Sequence, residues 1–228
     1  MAYKDTMIGQ LKIADFITLL NVFISTLSIY FIFNGLIEYS FGLIFVSVFL
    51  DYLDGFVARK MKQQNEFGAK LDSFADIIAF GLIPALLILQ AFSDKGIIAL
   101  IGSGILVISN VLRETRIQKN LGTASEYKIG VANTVIALVV ASFYFSKIYV
   151  HPYIWDILFF VFSYLLITNI KYATHRKFGK ALYYIAGILA VLSLASYVLY
   201  TPIPVFILTL LICIFYIIFG PLLRRRLE

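Results

Sequence analysis

The stretch from Val46 to Ala85 reads VSVFLDYLDGFVARKMKQQNEFGAKLDSFADIIAFGLIPA and decides the fold. It contains two apolar segments joined by a polar connection of about a dozen residues, and each segment carries two aspartates at the end nearest that connection. A helix that crosses a bilayer needs roughly 20 mostly apolar residues, a length that both segments reach when they are extended outward. The stretch therefore predicts two antiparallel membrane helices whose carboxylates meet at one end.

The composition of the whole chain also indicates a membrane protein. Of the 228 residues, 61% are hydrophobic and only 14% are charged. A soluble domain is usually about 45–50% apolar and about 25% charged, so we expect lipid to be the outer solvent. The net charge of +6 does not by itself indicate a nucleic-acid-binding protein, because membrane proteins retain Lys and Arg on their cytoplasmic side.

The apolar segments predict an all-α integral membrane protein, a bundle of about eight transmembrane helices. The predicted spans are residues 16–35, 38–58, 71–92, 96–113, 129–147, 152–170, 181–200 and 203–220. The connections between them leave no room for a separate soluble domain. Residues 1–15 mix apolar and charged side chains without the pattern of a signal peptide, which predicts an amphipathic helix on the membrane surface.

The distribution of Lys and Arg predicts the orientation of the bundle. If the N-terminus is cytoplasmic and eight spans alternate, all but two of the 19 Lys and Arg residues lie on the cytoplasmic side. The two exceptions are Lys95 and Lys147. This bias predicts a multi-pass protein of the cell membrane with both termini, and the carboxylates of the quoted stretch, at the cytoplasmic side.

Four aspartates in the quoted stretch point to bound cations. Asp51 and Asp54 are spaced i, i+3, and Asp72 and Asp76 are spaced i, i+4, so each pair shares one helix face. Four carboxylates brought together by antiparallel helices repel one another unless cations lie between them. Hard divalent ions such as Mg²⁺ or Mn²⁺ prefer oxygen ligands and also neutralise phosphate oxygens during phosphoryl transfer.

Two other roles for these carboxylates, as helix-end charges or as the lining of a cation path, explain less of the pattern. Charges at helix ends beside a membrane surface are ordinary when they occur singly, but four at these spacings, interleaved with small residues, are not. A cation transporter or channel also lines its path with carboxylates. Neither role requires Gly55, Ala58, Arg59 and Gly68 at their positions, whereas a ligand site uses small residues for space and Arg to bind phosphate.

The complete pattern D-x2-D-G-x2-A-R-x8-G-x3-D-x3-D resembles the signature of the CDP-alcohol phosphotransferase family. All of its fixed positions are present, at Asp51, Asp54, Gly55, Ala58, Arg59, Gly68, Asp72 and Asp76. The resemblance implies an integral membrane enzyme that displaces CMP from a CDP-linked lipid with an alcohol. It further implies that the four aspartates hold two divalent cations, Mg²⁺ or Mn²⁺, that Asp76 is the base, and that Asp54, Gly55, Ala58, Arg59 and Gly68 line the site of the CDP-lipid.

Other segments resemble the serine-transferring branch of this family. They are FITLLN at Phe16 to Asn21, FGAKLDSFADIIAFGLIPA at Phe67 to Ala85, and LLITNIKY at Leu165 to Tyr172. Where the branch often has LRLARF and a GLP segment, this chain has LRETRI and IGVANT, from Leu112 and Ile129 respectively. The resemblance implies a six-helix core at residues 16–175 followed by two further helices within 176–228, and a homodimer.

The expected reaction is therefore transfer of the lipid phosphoryl group from CDP-diacylglycerol or CDP-archaeol to L-serine, in phospholipid synthesis. The alternatives within the family use glycerol phosphate or inositol phosphate as the acceptor. A single displacement is expected, because the sequence contains no Ser, His or Cys constellation for a covalent intermediate. Further candidate contacts are Thr18 and Asn21 for the CDP-lipid, and Arg113, Arg116, Lys128, Asn133 and Lys171 for the acceptor.

Overall fold

A computed structural model describes residue 9 and residues 11–119, 127–173, 191–192, 194–195, 197 and 204–225 of the chain. Most of these residues are helical. In chain order the helices are α1 (Ile13–Phe33), α2 (Ile37–Lys60), α3 (Glu66–Asp76), a π-helical segment (Ile77–Leu82), α4 (Ile83–Ala91), α5 (Ile97–Lys119), α6 (Asn133–Ser146), α7 (Pro152–Ile167) and α8 (Pro204–Arg225). Two three-residue strands, β1 (Tyr127–Ile129) and β2 (Lys171–Ala173), complete the described elements.

Five helices in the described part of the chain are long and apolar enough to cross a membrane. They are Ile13–Phe33, Ile37–Lys60, Glu66–Ala91, Ile97–Lys119 and Pro204–Pro221, and the two apolar helices α6 and α7 are shorter. Large apolar side chains such as Phe23, Ile101 and Leu211 are exposed on these helices, as expected of surfaces that face lipid. The prediction of an all-α, multi-pass membrane protein is confirmed.

α1 and α2 form an antiparallel pair that brings the N-terminal helix against the carboxylates. The turn between them is made by Gly35, whose φ of +74° is a conformation that other residues rarely adopt. Small residues let the two backbones approach: the Ser40 hydroxyl donates to the Ser28 carbonyl oxygen over 3.1 Å. This pairing places the start of α1 beside the end of α2, where Asp51 and Asp54 lie.

The third span is interrupted by the π-helical segment that directly follows Asp76. Such segments widen the backbone and leave carbonyl groups that need other partners. Asn110 of α5, fully buried, supplies one by donating from Nδ2 to the Phe80 carbonyl oxygen over 3.3 Å. Gly81 is required beside it, since a Cβ there would lie 2.8 Å from Asn110 Cγ. Apolar periodicity does not reveal this change of helix type.

The fifth and sixth spans are shorter than predicted because backbone strands flank them. β1 pairs antiparallel with β2, with Lys128 opposite Tyr172. The predicted span 129–147 therefore begins as a helix only at Asn133, and the predicted span 152–170 ends at Ile167. Gly130 connects β1 to α6 with a φ of +78°, where a side chain would also collide with the Leu166 carbonyl oxygen.

Aromatic side chains fill the end of the bundle opposite the aspartates. Phe41 stacks on Tyr144 with ring centroids 4.1 Å apart, and Phe92 stacks on Trp155 with centroids 4.3 Å apart. We call these four residues the aromatic cluster. α2 runs from this end to the other, so a single helix carries both Phe41 and the aspartates Asp51 and Asp54.

The predicted boundaries at the chain ends have different outcomes. Residues 1–8 and 10 of the predicted surface helix lie outside the described residues, and Ile13 to Asp15 belong to α1 instead of that helix. The predicted span 181–200 lies almost wholly outside the described residues, so the count of eight spans stays a prediction. The predicted span 203–220 corresponds to α8, which begins at Pro204.

Candidate active site

Three of the predicted metal-binding aspartates converge between α2 and α3. Asp51, Asp72 and Asp76 each offer a carboxylate oxygen, and these oxygens lie within 4.8 Å of one another. We call these residues the carboxylate cluster. The connection between α2 and α3 ends in a cap, in which Asn65 Oδ1 accepts from the Gly68 amide over 2.7 Å. The cap sets where α3 begins, and thus which face presents Asp72 and Asp76.

The two oxygens of Asp76 have different surroundings. Oδ2 accepts a hydrogen bond of 3.2 Å from Asn133 Nδ2, at the first residue of α6. Oδ1 is buried and has no hydrogen-bond partner among the described residues. A buried carboxylate oxygen without a donor is costly unless a cation or a ligand satisfies it.

The donor set fits a hard divalent cation. Three carboxylates supply only oxygen ligands, which Mg²⁺ and Mn²⁺ prefer over nitrogen or sulfur. Their mutual repulsion and the unpartnered Oδ1 of Asp76 are both relieved by a positive ion between them. The carboxylate cluster is thus a candidate metal site built from residues that the sequence pattern singled out.

Asp54, the fourth predicted ligand, has a different environment. It is 6% exposed, and its Oδ2 accepts a 2.8 Å hydrogen bond from the Thr18 hydroxyl of α1. Thr18, which the sequence predicts as a contact of the CDP-lipid, is therefore in contact with the signature motif. Asn21, one turn further along α1, is buried with an Oδ1 that has no partner within the described part of the chain.

A cavity of about 860 Å³ opens beside these groups. Its walls contain five of the predicted CDP-lipid contacts and one member of the carboxylate cluster: Thr18, Asp54, Gly55, Ala58, Gly68 and Asp72. Since Asp72 belongs to both, the carboxylate cluster adjoins the cavity. The volume lies in the range typical of small-molecule sites.

The two signature glycines leave room for close contacts. A Cβ on Gly68 would lie 2.7 Å from Asp15 Oδ1, so α1 packs against the start of α3 only because this position is a glycine. A Cβ on Gly55 would lie 3.0 Å from Arg59 Nη1, which shows that the guanidinium lies along the Gly55 face of α2. Both substitutions would push on charged side chains beside the cavity.

Arg113 and Arg116, two of the predicted acceptor contacts, are not among the residues that line the cavity. The Arg113 guanidinium donates from Nε to the Val131 carbonyl oxygen over 2.9 Å and pairs with the neighbouring Glu114. Arg116 donates to the carbonyl oxygens of Thr168 and Ile167, at 3.1 and 2.6 Å, and so caps the C-terminus of α7. These arginines connect helices.

The remaining predicted acceptor contacts lie on three elements. Lys128 is in β1, opposite Tyr172 of β2. Lys171 is exposed in β2. Asn133 reaches the carboxylate cluster, through its hydrogen bond to Asp76.

Sequence reasoning missed three polar residues at this end of the bundle. Asp15 is 4% exposed, lines the cavity and accepts a 2.8 Å hydrogen bond from the Lys12 amide. Gln118 also lines the cavity, and its Nε2 donates to the Ser73 hydroxyl over 2.6 Å. Glu114 is buried between Ser73, Asn133 and Arg113. The polar run Arg113 to Gln118 at the end of an apolar helix was the available signal.

The fold and the site define a class: a multi-pass membrane protein with a carboxylate cluster beside a cavity at one end of the bundle. The family model described as CDP-alcohol phosphatidyltransferase matches residues 11–170, which is most of the chain. The chain belongs to the CDP-alcohol phosphatidyltransferase family. It is accordingly a phosphotransferase.

Within this family, the chain is similar in sequence to several curated relatives. It is 31% identical over 210 residues to a CDP-diacylglycerol–serine O-phosphatidyltransferase of Methanocaldococcus jannaschii, covering 92% of each chain. It is 31% identical over 164 residues to an archaetidylserine synthase of Methanothermobacter thermautotrophicus, covering 71% of this chain and 70% of the relative. It is 28% identical over 165 residues to a CDP-diacylglycerol–serine O-phosphatidyltransferase of Helicobacter pylori, covering 69% and 70%.

Proposed function

We propose that this chain transfers the lipid phosphoryl group of a CDP-lipid, CDP-diacylglycerol or CDP-archaeol, to L-serine and releases CMP. The observation that carries the reaction is the convergence of Asp51, Asp72 and Asp76 within 4.8 Å beside the cavity. The serine acceptor is supported by the names of the relatives from Methanocaldococcus jannaschii and Methanothermobacter thermautotrophicus.

The carboxylate cluster holds the divalent cations in this proposal. When bound there, two ions, Mg²⁺ or Mn²⁺, would supply positive charge to offset that of the diphosphate and of the departing CMP. Asp51, Asp72 and Asp76 are their ligands, and Asp54 joins them from the cavity wall. The hydrogen bond from Thr18 to Oδ2 holds the Asp54 carboxylate in the wall of the cavity.

The walls of the cavity hold the CDP part of the lipid. Gly55, Ala58 and Gly68 present backbone and small side chains, which let a nucleotide approach closely. Arg59, on the same face of α2, binds a phosphate oxygen. Thr18 and Asn21 contribute from α1.

Asp76 acts as the base. The Asp76 carboxylate takes the proton of the serine hydroxyl, while Asn133 holds its orientation by donating to Oδ2. The serine oxygen then forms a bond to the lipid phosphorus while the bond from that phosphorus to the CMP oxygen breaks. A base must lie within hydrogen-bond reach of the proton that it removes, which places the serine hydroxyl beside Asp76.

The proposal also covers the orientation of the enzyme in the membrane. We propose that the carboxylate cluster and both termini face the cytoplasm, because this orientation places all Lys and Arg residues except Lys95 and Lys147 on that side. The homodimer, the core at residues 16–175 and the acceptor contacts of Arg113, Arg116, Lys128 and Lys171 stay predictions.

An acceptor panel tests the proposed function. Purified protein in lipid nanodiscs is mixed with Mn²⁺, either CDP-lipid, and L-serine, glycerol 3-phosphate, inositol phosphate or water alone. We expect CMP release to depend on serine and the lipid product to have the mass of a phosphoserine lipid. The serine assignment fails if serine gives no more CMP than water while a phosphorylated polyol does.

A further inference from the structure

A buried set of hydrogen bonds connects α5 to Asp76, and its centre is Glu114. This side chain is 3% exposed. Its Oε1 accepts from Asn133 Nδ2 over 3.2 Å and from Arg113 Nη1, and its Oε2 accepts a 3.2 Å bond from the Ser73 hydroxyl. Glu114 is thus held from three directions, and the guanidinium of Arg113 balances its charge.

Asn133 joins Glu114 to the carboxylate cluster. Its Nδ2 donates to Asp76 Oδ2 and to Glu114 Oε1, each over 3.2 Å. Its Oδ1 accepts from the Thr134 amide over 3.0 Å. Because ionised carboxylates only accept hydrogen bonds, two of them on the same side require the NH2 group of Asn133 to face them. With Asp76 alone, fewer contacts would hold the amide in this orientation.

The orientation of the amide matters for Asp76. A donor at Oδ2 fixes the rotation of the carboxylate and leaves Oδ1, which is buried without a partner among the described residues, as the oxygen that would meet a cation or a ligand. If the amide turned over, its oxygen would face Oδ2 and repel it. We infer that Glu114 is a positioning residue for Asp76, and that it acts through the amide of Asn133.

The start of α6 is anchored without the bond between Glu114 and Asn133. Arg113 Nε donates to the Val131 carbonyl oxygen over 2.9 Å, and the Val131 amide donates to the Leu165 carbonyl oxygen over 3.0 Å. These bonds hold the backbone before Asn133 in place. A role of Glu114 in helix packing alone is therefore separable from its role in orienting the side chain of Asn133.

A double-mutant cycle tests the inference. Glu114→Gln, Asn133→Ala and the double variant are compared for kcat, for KM of the CDP-lipid and for Mn²⁺ affinity, measured from the free-Mn²⁺ signal by electron paramagnetic resonance. We expect each single variant to lose about tenfold or more in kcat and in Mn²⁺ affinity, with KM little changed, as for other residues that orient metal ligands. The double variant should be no worse than Asn133→Ala, because Asn133 is the residue whose amide donates to both Glu114 and Asp76.

Additive losses in kcat would overturn the inference, and so would a wild-type kcat and Mn²⁺ affinity for Glu114→Gln. The matched control is Glu38→Gln, an exposed carboxylate at the opposite end of the bundle, which should match wild type.

An exchanged pair covers the case in which a single variant is unstable. Glu114→Gln combined with Asn133→Asp keeps one carboxylate and one amide at these positions, and so restores a hydrogen bond between them with its direction reversed. The carboxylate now faces Asp76, so we expect a kcat per folded molecule and a Mn²⁺ affinity at least as low as in Asn133→Ala, while the loss of the Arg113–Glu114 ion pair is followed separately as thermal stability. Recovery of wild-type kcat would show that only helix packing matters.

The inference depends on the proposed function only for the reaction that is measured. The acceptor panel is run first, and the cycle then uses whichever acceptor releases CMP, so a wrong serine assignment leaves it interpretable. Mn²⁺ affinity is measured without substrate and tests the positioning role independently of the acceptor.

Discussion

The two ends of the helix bundle differ in the interactions that their side chains make, although α2 contributes to both. At one end, Phe41, Phe92, Tyr144 and Trp155 stack with ring centroids as close as 4.1 Å. At the other end, Asp51, Asp72 and Asp76 bring carboxylate oxygens within 4.8 Å of one another. The aromatic cluster stabilises the fold by its packing. The carboxylate cluster repels itself unless a cation is bound.

The contrast between the two clusters indicates that the aromatic end contributes mainly to stability and the carboxylate end mainly to catalysis. Packing is additive over many contacts and tolerates loss at one of them, whereas directional hydrogen bonds to Asp76 and Asp54 have few substitutes. Natural proteins depart from stable local arrangements mostly at functional sites. Substitutions at the aromatic end should therefore change stability, and isosteric substitutions at the carboxylate end should change catalysis.

The largest effect is expected for Asp76→Asn. The substitution keeps the shape of the side chain but removes the base and one metal ligand, so serine-dependent CMP release should fall by about 10²–10⁴-fold. The melting temperature should not fall, since repulsion with Asp51 and Asp72 is relieved. Both quantities are measured on purified protein, with Glu38→Gln as the control at the other end of α2. Full activity in Asp76→Asn would remove Asp76 from the proposed chemistry.

Trp155→Ala should produce the opposite pattern. Trp155 is 2% exposed and stacks on Phe92, so truncation leaves a cavity and should lower the free energy of unfolding by about 3–5 kcal/mol. The rate constant per folded molecule should stay the same. Denaturant titration and kinetics at low temperature measure the two quantities, and Tyr149→Ala, at an exposed aromatic nearby in the chain, is the control. A large loss of kcat in the folded variant would show that the two ends are coupled.

Gly81→Ala tests the π-helical segment that lies between the two ends. The added Cβ would lie 2.8 Å from Asn110 Cγ, and such overpacking should lower the free energy of unfolding by about 1–3 kcal/mol. Gly104→Ala is the matched control, because a Cβ on Gly104 meets no heavy atom within 4 Å in the described part of the chain. The measurement is thermal unfolding of both variants. Equal stability of the two would argue against the close contact with Asn110.

Thr18→Val should give the smallest effect, confined to substrate binding. Valine has nearly the same shape as threonine but cannot donate to Asp54 Oδ2, so KM for the CDP-lipid should rise by about tenfold, the equivalent of 1.4 kcal/mol. Thr26→Val is the control, since the Thr26 hydroxyl bonds only within α1, to the Val22 carbonyl oxygen. Identical KM values for the two variants would place Thr18 outside the binding site.

Much of the carboxylate end could be predicted from the sequence because helical spacing determines which residues share a face. The pairs Asp51 with Asp54 and Asp72 with Asp76 needed only this rule and an antiparallel turn. The same rule cannot tell which carboxylates converge most closely. Oδ2 of Asp54 bonds to Thr18 because α1 packs there, which is a tertiary contact.

The parts that could not be predicted depend on contacts between distant segments. In the sequence, Arg113 and Arg116 look the same as the other Lys and Arg residues that mark the cytoplasmic side. Only the structure shows that each donates to the backbone of another segment. Nothing in the sequence distinguishes Glu114 within its polar run, and only the structure shows it buried against Ser73, Asn133 and Arg113. Asn133 was predicted as a polar contact, but its bond to Asp76 depends on where α6 begins, which β1 and Gly130 determine.

A Mn²⁺ titration of serine-dependent CMP release tests the central claim most directly, namely that the carboxylate cluster holds the ions used in transfer to serine. Wild type, Asp72→Asn and Glu38→Gln are titrated from metal-free protein with the CDP-lipid and serine at fixed concentrations. We expect wild type and Glu38→Gln to give the same saturating curve, and Asp72→Asn to require at least about tenfold more Mn²⁺ or to remain inactive. A curve for Asp72→Asn that coincides with wild type would contradict the account.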